Sequence, residues 1–364
     1  MNPKKWQHLR NTCNLGIGGR TLVPILLPEI RKIVPAYSST FHWLDKSYKF
    51  VNLFDESPDG PLVISSFIHN YLGNRDLAAR RDLGEWLKTS KTPITIASTE
   101  QMAFRRFYYS DFYREILKPM GYHHSLYSGI KVGTCPIGIL VLHRQPGERS
   151  FSHKDEKTLR ELSPLIGEAL SQNEGCIDTL PSRHEIGLCL LDKKGLMQHI
   201  TPQGRKLMLL AKHPTINRAL PSSLDDTSLL PTQVISLVKQ LCNELSDSNL
   251  HSLNAPRFEV NSPWGKLLFQ ANWFQSPGNQ EKSLIAVTVQ HYEPSLYQAS
   301  LKCEQLDFTP RQTEVTLSLL KGLSYVSISE NLYLSKYTVN DYIKNVYQKL
   351  GIHNRGELLS SLLS

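Results

Sequence analysis

Polar residues near the C-terminus recur at helical spacing and could contact the bases of a nucleic acid. Between residues 338 and 350, one helix face carries four apolar side chains at the i, i+4, i+7 and i+11 positions, Val339, Ile343, Val346 and Leu350. The opposite face carries Asn340, Asp341 and Lys344 as the candidates for contact with base edges, and Asn345 as a further DNA-binding candidate. Asparagine pairs in bidentate fashion with adenine, lysine reaches guanine, and aspartate accepts from cytosine. This face therefore has the chemistry of a base reader.

The charge around this helix is positive. Residues 335–355 hold four basic side chains and one acid, Asp341, for a local net charge of +3; the basic residues are Lys336, Lys344, Lys349 and Arg355. Lysine and arginine on a groove-facing helix bind phosphate oxygens, and a threonine hydroxyl donates to them. We therefore expect phosphate contacts from Lys336, Thr338, Lys349 and Arg355. The whole chain carries +8, but residues 301–364 hold seven basic and six acidic side chains, a net +1. The net charge of the whole chain is therefore not evidence for a polyanionic partner; the evidence is the local +3 around this helix.

The spacing of caps and apolar residues predicts three short helices that position this face. Thr309-Pro310 is typical of a helix start, because proline lacks the N–H that is unpaired there. Gly322 is placed to end that helix, residues 325–332 form a second, and the third follows a tight connection at Leu334-Ser335. This arrangement predicts a helix-turn-helix whose third helix enters the major groove.

These residues resemble the LuxR-type (GerE) DNA-binding domain of bacterial transcription regulators. The similarity spans about 60 residues and includes five segments: Thr309-Pro310-Arg311-x-x-Glu314-Val315, Gly322-Leu323-Ser324, Leu332-x-Leu334-Ser335, Thr338-Val339 and Lys349-Leu350-Gly351-Ile352-x-x-Arg355. The resemblance implies a four-helix bundle with a recognition helix and a dimerising last helix over 356–364. It also implies scaffold roles for Glu314, Gly322, Ile328 and Val339. Asn340 and Tyr342 stand where the family commonly has Lys and His, which removes one cationic DNA contact.

The preceding residues predict two smaller α+β units. Residues 1–174 resemble a GAF domain, because a helix and strands are followed by a closing helix capped at Ser152. Residues 178–292 resemble a PAS domain, because they open with strand, turn, strand and helix. Residues 293–304 follow as a helical linker, and 305–364 form the helix-turn-helix domain. The predicted fold class is thus multidomain: α+β, with GAF/PAS-like antiparallel sheets and flanking helices, followed by an all-α four-helix domain.

Length and composition exclude several classes of protein. The 364 residues allow two or three domains, and 40% hydrophobic content is that of an ordinary globular chain. The six cysteines are scattered and suit neither a disulfide framework nor a zinc site. No apolar run approaches the length of a membrane span, and the start has no signal-peptide core. We therefore expect a cytoplasmic protein without membrane contact.

Other residues capable of chemistry have simpler interpretations. A phosphate loop needs a preceding strand and a following Gly-Lys-Ser/Thr, and both are absent at Gly16-Ile17-Gly18-Gly19. We interpret this run as part of a flexible start. The same start forms a mobile basic arm with Lys4, Lys5, Arg10 and Arg20. The pair His123-His124 has no further ligand at metal-binding spacing, and His153 with Asp155 and Glu156 suits a helix start. A group of aromatic residues is interpreted as core or interface, with a ligand pocket as the alternative: Phe107, Tyr108, Tyr109, Phe112 and Tyr113.

The sequence thus predicts a one-component, sequence-specific transcription regulator that is not an enzyme and uses no metal or cofactor. Its partners would be double-stranded DNA, a second copy of the chain, a small-molecule effector and RNA polymerase. The ligand-binding residues are not assigned by the sequence. The alternative, from a different class, is a ligand-binding or enzymatic sensor whose C-terminal helices serve protein association only.

Overall fold

Two antiparallel sheets with flanking helices precede a bundle of short helices. The structure is a computed structural model, and it describes residues 3–57, 94–95, 108–172, 179–212, 230–246, 255–276 and 279–363. This order confirms the predicted fold class, α+β followed by an all-helical domain. The predicted boundary between the first two units, at 174–178, lies outside the described residues. Within the described part of the chain, no helix is both long and apolar enough to cross a membrane.

The first sheet has five strands in the order β2-β1-β5-β4-β3, all antiparallel to their neighbours. The strands are β1 (Ser38–Leu44), β2 (Phe50–Asp55), β3 (Ile94–Thr95), β4 (His124–Val132) and β5 (Cys135–Arg144). A π-helical segment, Tyr113–Leu117, precedes β4. Phe41 pairs with Leu140, and both side chains point into the core beneath the helices of this unit. Alternate residues therefore line the opposite face of the sheet.

Three helices accompany this sheet: α1 (Pro3–Cys13), α2 (Gly19–Ile33) and α3 (His153–Ser171). The helices α2 and α3 pack on the strands, and α1 packs on α2 and α3. Ser152 caps α3 in a reciprocal capping box with Asp155, as the sequence predicts. The stripe Leu159, Leu162 and Ile166 is fully buried against the sheet. Pro164 lies inside α3, and the helix continues through it over all 19 residues.

The expected flexible start is wrong. Leu9 and Cys13 of α1 are buried in the core, and Leu15 and Ile17 are buried in the turn that follows. The glycines of that turn have positive φ, and a Cβ at Gly18 would lie 2.2 Å from the carbonyl oxygen of Gln172. Only glycine tolerates both the backbone angle and this approach, so the run forms a tight α1–α2 turn.

The second sheet has the order β7-β6-β10-β9-β8 and is also antiparallel. Its strands are β6 (Thr179–Leu191), β7 (Met197–Ile200), β8 (Arg257–Ser262), β9 (Gly265–Ser276) and β10 (Asn279–Pro294). Two helices, α4 (Pro202–Lys212) and α5 (Thr232–Ser246), cover one face. Leu267, Phe269 and Ala271 are buried at alternate positions of β9, which fits the period of a strand with one covered face.

The C-terminal bundle contains α6 (Ser295–Gln305), α7 (Pro310–Leu320), α8 (Tyr325–Asn331), α9 (Lys336–Leu350) and α10 (Leu358–Leu363). A 3-10 turn, Arg355–Glu357, leads into α10. The predicted linker is helical, but it is not a free connection: Tyr297, Ala299 and Cys303 of α6 are buried, and α6 packs against α1, α7 and α10. One apolar cluster therefore continues from the helices of the first unit into the bundle.

Candidate nucleic-acid interface

Each of the three helices around the predicted reading face starts at a side-chain cap. The hydroxyls of Thr309, Ser324 and Ser335 accept from the backbone N–H three residues later, at 3.2, 3.1 and 3.0 Å. Thr309 and Gln312 complete a capping box. These caps satisfy N–H groups that a helix leaves unpaired, so the sequence places the starts of α7, α8 and α9 locally.

The orientation of α9 is determined by its inner face. Val339 and Val346 are fully buried and Ile343 is 4% exposed, in one core with Val315 of α7 and Ile328 of α8. The predicted scaffold positions Ile328 and Val339 thus lie at the centre of the bundle. Since the apolar stripe faces inward, the polar side of α9 faces away from the bundle.

The connection between α8 and α9 is tight. Tyr333 has φ 53°, and the backbone N–H of Leu334 donates to the carbonyl of Ser329 at 2.9 Å. Gly322, the predicted stop of α7, has φ 85°, and Gly351 ends α9 at φ 67°. Two helices joined in this way leave the second one free along its outer face.

Most of the residues predicted to contact DNA lie on that outer face. Lys336, Asn340, Lys344 and Asn345 are exposed, and Asp341 is half-buried. Within the part of the chain that the structure describes, the side chains of these five residues make no hydrogen bond, ion pair or ring contact. They are therefore available to a partner.

Thr338 has a second role besides its predicted phosphate contact. Its hydroxyl lies 2.8 Å from the hydroxyl of Ser335, and its backbone N–H donates to the same Ser335 oxygen. Thr338 is half-buried and closes the first turn of α9. Its hydroxyl is thus partly committed to the cap.

Two of the predicted phosphate contacts are used inside the bundle. Lys349 Nζ donates to the carbonyl of Asp307 at 2.9 Å and lies 5.0 Å from the centre of the Phe308 ring. Arg355 Nη2 donates to the carbonyl of Leu319, at the end of α7. These hydrogen bonds tie the end of α9 to the loop before α7 and tie the segment before α10 to the end of α7, where the Leu319 carbonyl also accepts from the backbone N–H of Gly322 at 2.9 Å. The net charge around α9 stays at +3, because carbonyl partners are neutral, but only Lys336 and Lys344 there have ammonium groups without a partner among the described residues.

The sequence did not predict that the bundle is anchored to α1. The remaining scaffold candidate, Glu314, accepts from Arg311 at 2.7 Å and from Gln7 of α1 at 3.2 Å. Lys321 Nζ donates to the carbonyl of Asn14, just after α1. These partners are about 300 residues apart in the chain, so no local pattern could have shown them.

A buried carboxylate, Glu29 of α2, joins the same helices. Glu29 is 3% exposed and accepts from Tyr297 of α6 at 3.0 Å, while His8 Nε2 lies at 3.3 Å and Lys32 Nζ at 2.8 Å. The other imidazole nitrogen of His8 lies 3.4 Å from Glu304. Burial alone would raise the pKa of Glu29, but the hydrogen bonds and charges of His8 and Lys32 outweigh it and lower the pKa to about 2.

The first sheet carries a second buried polar group, on the face opposite α2 and α3. His143 of β5 stacks on Tyr122 at 4.0 Å between ring centres and lies 2.9 Å from the Ser125 hydroxyl. Tyr122 donates to Asp55 at 2.9 Å. Burial raises the pKa of Asp55 to about 7 and lowers that of His143 to about 3, so the imidazole is neutral.

The other candidate sites show ordinary packing. Tyr108 stacks on His123, and the Tyr113 hydroxyl lies 2.7 Å from His123 Nδ1, which makes this histidine part of an aromatic cluster. His153 is 99% exposed beside Glu156. Among the residues with described positions, no group of three His, Cys, Asp or Glu side chains could hold a metal ion. Phe107, the first of the predicted aromatic group, lies outside that part of the chain.

Comparison with known proteins gives one family match, over the bundle. Residues 306–362 match the family model described as bacterial regulatory proteins, luxR family. No curated protein matches the chain significantly.

Solved structures with detectable similarity include the Vibrio cholerae VqmA dimer, which is described as a LuxR-type receptor. The sequence identity is 14%, the match covers 50% of this chain and 83% of that chain, and the TM-score is 0.19. Another is the Escherichia coli DhaR(N)–DhaL complex, at 10% identity over 79% and 88%, with a TM-score of 0.21. TM-scores this low carry no weight for fold or function, so the family match and the geometry of α7–α10 bear the conclusion. The C-terminal domain of this chain belongs to the luxR family of bacterial regulatory proteins and contains its helix-turn-helix.

Proposed function

We propose that the chain is a sequence-specific transcription regulator that binds double-stranded DNA through α9. The observation that carries this proposal is the outer face of α9, where Asn340, Lys344 and Asn345 are exposed and make no side-chain contact among the described residues. The buried Val339, Ile343 and Val346 hold that face outward. A helix with a buried apolar stripe and unpartnered amide and ammonium groups suits the major groove.

Each side chain of the face has a chemical role in this proposal. Asn340 would pair in bidentate fashion with an adenine, Lys344 would reach guanine O6 and N7, and Asp341 would accept from cytosine N4. Lys336, at the first turn of α9, would contact a phosphate and set the register. Lys349 and Arg355 would act on DNA binding only by holding the frame of the bundle.

We propose that two copies bind together. The inner side of α10 is buried in the bundle at Leu358 and Leu362. Leu359 and Leu363 are half-buried and lie four residues apart, on a strip at one side of the same helix. Pairing of this strip between two chains would hold two recognition helices at a defined spacing over adjacent half-sites.

The residues before the bundle would control it. We propose that the first two α+β units, which resemble GAF and PAS domains, sense a small-molecule effector, and that the response reaches α9 through α1 and α6. The helix α1 contacts α7 through the pair Gln7–Glu314, and α6 packs on both α1 and α10. A ligand that favours one arrangement of these contacts shifts the population that binds DNA. Regulation would act on RNA polymerase in the cytoplasm, without catalysis by this chain.

Selection of DNA by the full-length protein tests the proposal. A randomised pool of duplexes is enriched with the protein, and affinity for the best duplex is measured by fluorescence anisotropy at several salt concentrations. We expect Asn340→Ala and Lys344→Ala each to weaken this binding by about tenfold or more, since a good bidentate contact contributes roughly 1–3 kcal/mol. Lys344→Ala should also lower the steepness of the salt dependence by about one ion.

A lysine away from the bundle provides the matched control. Lys239 is exposed on α5, and Lys239→Ala removes the same charge from the chain as Lys344→Ala. We expect wild-type affinity for the control. If no duplex is enriched, or if Asn340→Ala and Lys344→Ala both bind like wild type while the protein still associates through its C-terminal helices, the bundle serves protein contact and the proposal fails.

A further inference from the structure

The outer face of α9 begins with an aromatic residue. Tyr337 is the second residue of the helix and is 76% exposed. It precedes Asn340 by three positions, Asp341 by four and Lys344 by seven, the spacing of a single helix face. Among the described residues its side chain has no hydrogen-bond, ion-pair or ring partner. A large apolar ring is thus presented on the proposed reading surface.

The position of Tyr337 along α9 suits contact with bases. Recognition helices reach base edges chiefly with their N-terminal residues. At 1.5 Å rise per residue, Tyr337 and Lys344 are separated by about 10 Å along the helix, the length of roughly three base-pair steps. Tyr337 therefore extends the row of Asn340 and Lys344 toward one end of a half-site.

Few cations of the bundle are available for phosphate contacts, so an uncharged contact with DNA can add to binding. Lys349 and Arg355 are engaged with carbonyl groups, and Lys336 and Lys344 remain as cations beside α9 with Asp341 as an acid. Only Lys336 and Lys344 beside α9 have ammonium groups without a partner among the described residues, so few direct phosphate contacts are available there. Apolar contact with a thymine methyl group in the major groove is a known source of base discrimination that needs no charge.

We propose that Tyr337 is a further base-contacting residue, whose ring packs against the 5-methyl group of a thymine at the end of the half-site. This inference rests on the proposed DNA-binding function. Tyr333 is more exposed still, at 95%, but it lies in the turn before the Ser335 cap with a left-handed backbone. It is therefore not part of the helical row and is not included.

The test uses the full-length protein and the best duplex from the selection described above. We expect Tyr337→Ala to weaken binding to this duplex by about fivefold to tenfold, with less than a twofold effect on a random-sequence duplex. Tyr337→Phe keeps the ring and should bind like wild type. Tyr109, which is 80% exposed in the first unit, supplies the control Tyr109→Ala, with wild-type binding expected.

Removal of the thymine methyl group isolates the contact. Each thymine of the selected duplex is replaced in turn by deoxyuridine, which lacks that methyl. At one position the replacement should weaken wild-type binding by about fivefold, and it should leave Tyr337→Ala unaffected, because the two changes remove the same interaction. Since Tyr337 is exposed, its variants should unfold at the wild-type temperature.

The outcomes separate this inference from the function on which it rests. Wild-type binding by Tyr337→Ala, with Asn340→Ala and Lys344→Ala defective, overturns the role of Tyr337 alone. An equal loss on selected and random duplexes, or additive effects of Tyr337→Ala and every deoxyuridine, also overturns a methyl contact. A protein that selects no duplex overturns both.

Discussion

Two lysines of one helix illustrate how little residue type says about role. Lys344 and Lys349 both lie on α9 and both are exposed. Lys344 has no side-chain contact among the described residues, whereas Lys349 donates to Asp307 and lies over the Phe308 ring. The first is available to DNA, and the second ties the end of α9 to the loop before α7. Their sequence context alone does not distinguish them.

Lys349→Met separates these two roles, because methionine keeps the aliphatic stem without the charge. We expect the free energy of unfolding to fall by about 1 kcal/mol, from the lost hydrogen bond to a carbonyl and the lost cation–π contact. Urea denaturation measures this change. Affinity for the selected duplex, and its salt dependence, should stay close to wild type. Lys344→Met should show the reverse pattern, with unchanged stability and weaker binding. A reduced salt dependence in Lys349→Met would show that this lysine contacts phosphate after all.

At the scale of elements, the approach of α3 to the first sheet depends on a residue without a side chain. A Cβ at Gly167 would lie 2.5 Å from the carbonyl oxygen of Lys131 on β4. Glycine in a helix interior normally costs roughly 1 kcal/mol relative to alanine. Here the close approach of helix and strand outweighs that cost, since the clash would be with backbone and not with a flexible side chain.

Gly167→Ala is therefore expected to destabilise the protein although it raises helix propensity. We predict a loss of about 1–3 kcal/mol in the free energy of unfolding, the range for overpacking a core. Glu168→Ala, at the exposed neighbouring position of α3, should change stability by less than about 0.5 kcal/mol. Chemical denaturation of both variants measures the contrast. A stabilised Gly167→Ala would mean that α3 and β4 are farther apart than the structure shows.

At the scale of the whole molecule, the bundle and the first unit are joined around Glu29. This carboxylate of α2 accepts a hydrogen bond from the hydroxyl of Tyr297 on α6 and lies beside His8 of α1. The helix α6 in turn packs on α7 and α10. A buried carboxylate held in its charged form by such partners stabilises the contact between the two units only while it stays ionised.

The pH dependence of stability follows from the lowered pKa of Glu29. The pKa is about 2 in the folded protein against 4.5 as the reference value, so the stabilisation is complete above about pH 4.5 and is lost as the pH falls toward 2. Its size is at most about 3 kcal/mol. We expect Glu29→Gln to flatten the decline in unfolding free energy between pH 5 and pH 3, as measured by urea denaturation, relative to wild type. Glu168→Gln, at an exposed position, should keep the wild-type profile. An equally steep decline in Glu29→Gln would exclude this role.

Local signals in the sequence were sufficient for the elements of the reading site. The caps at Thr309 and Ser335, the stop at Gly322 and the stripe at Val339 and Ile343 each depend on residues within four positions of one another. Hydrogen bonds and periodicity at this range are properties of the chain itself. For this reason the helix-turn-helix and its family were predictable, and so was the order of most strands and helices before it, but α1 was not predicted.

The tertiary structure alone decided which polar groups remain free and what holds the bundle in place. Lys349 and Arg355 are committed to carbonyls, and the glycine run near residue 18 forms an ordered turn. Gln7 reaches a partner 307 residues away, and Glu29 reaches one 268 residues away. Such pairings depend on the three-dimensional approach of distant segments, which no local period or cap encodes. The sequence by itself thus determined a LuxR-type reading helix, and only the folded chain determined which of its cations are available to DNA.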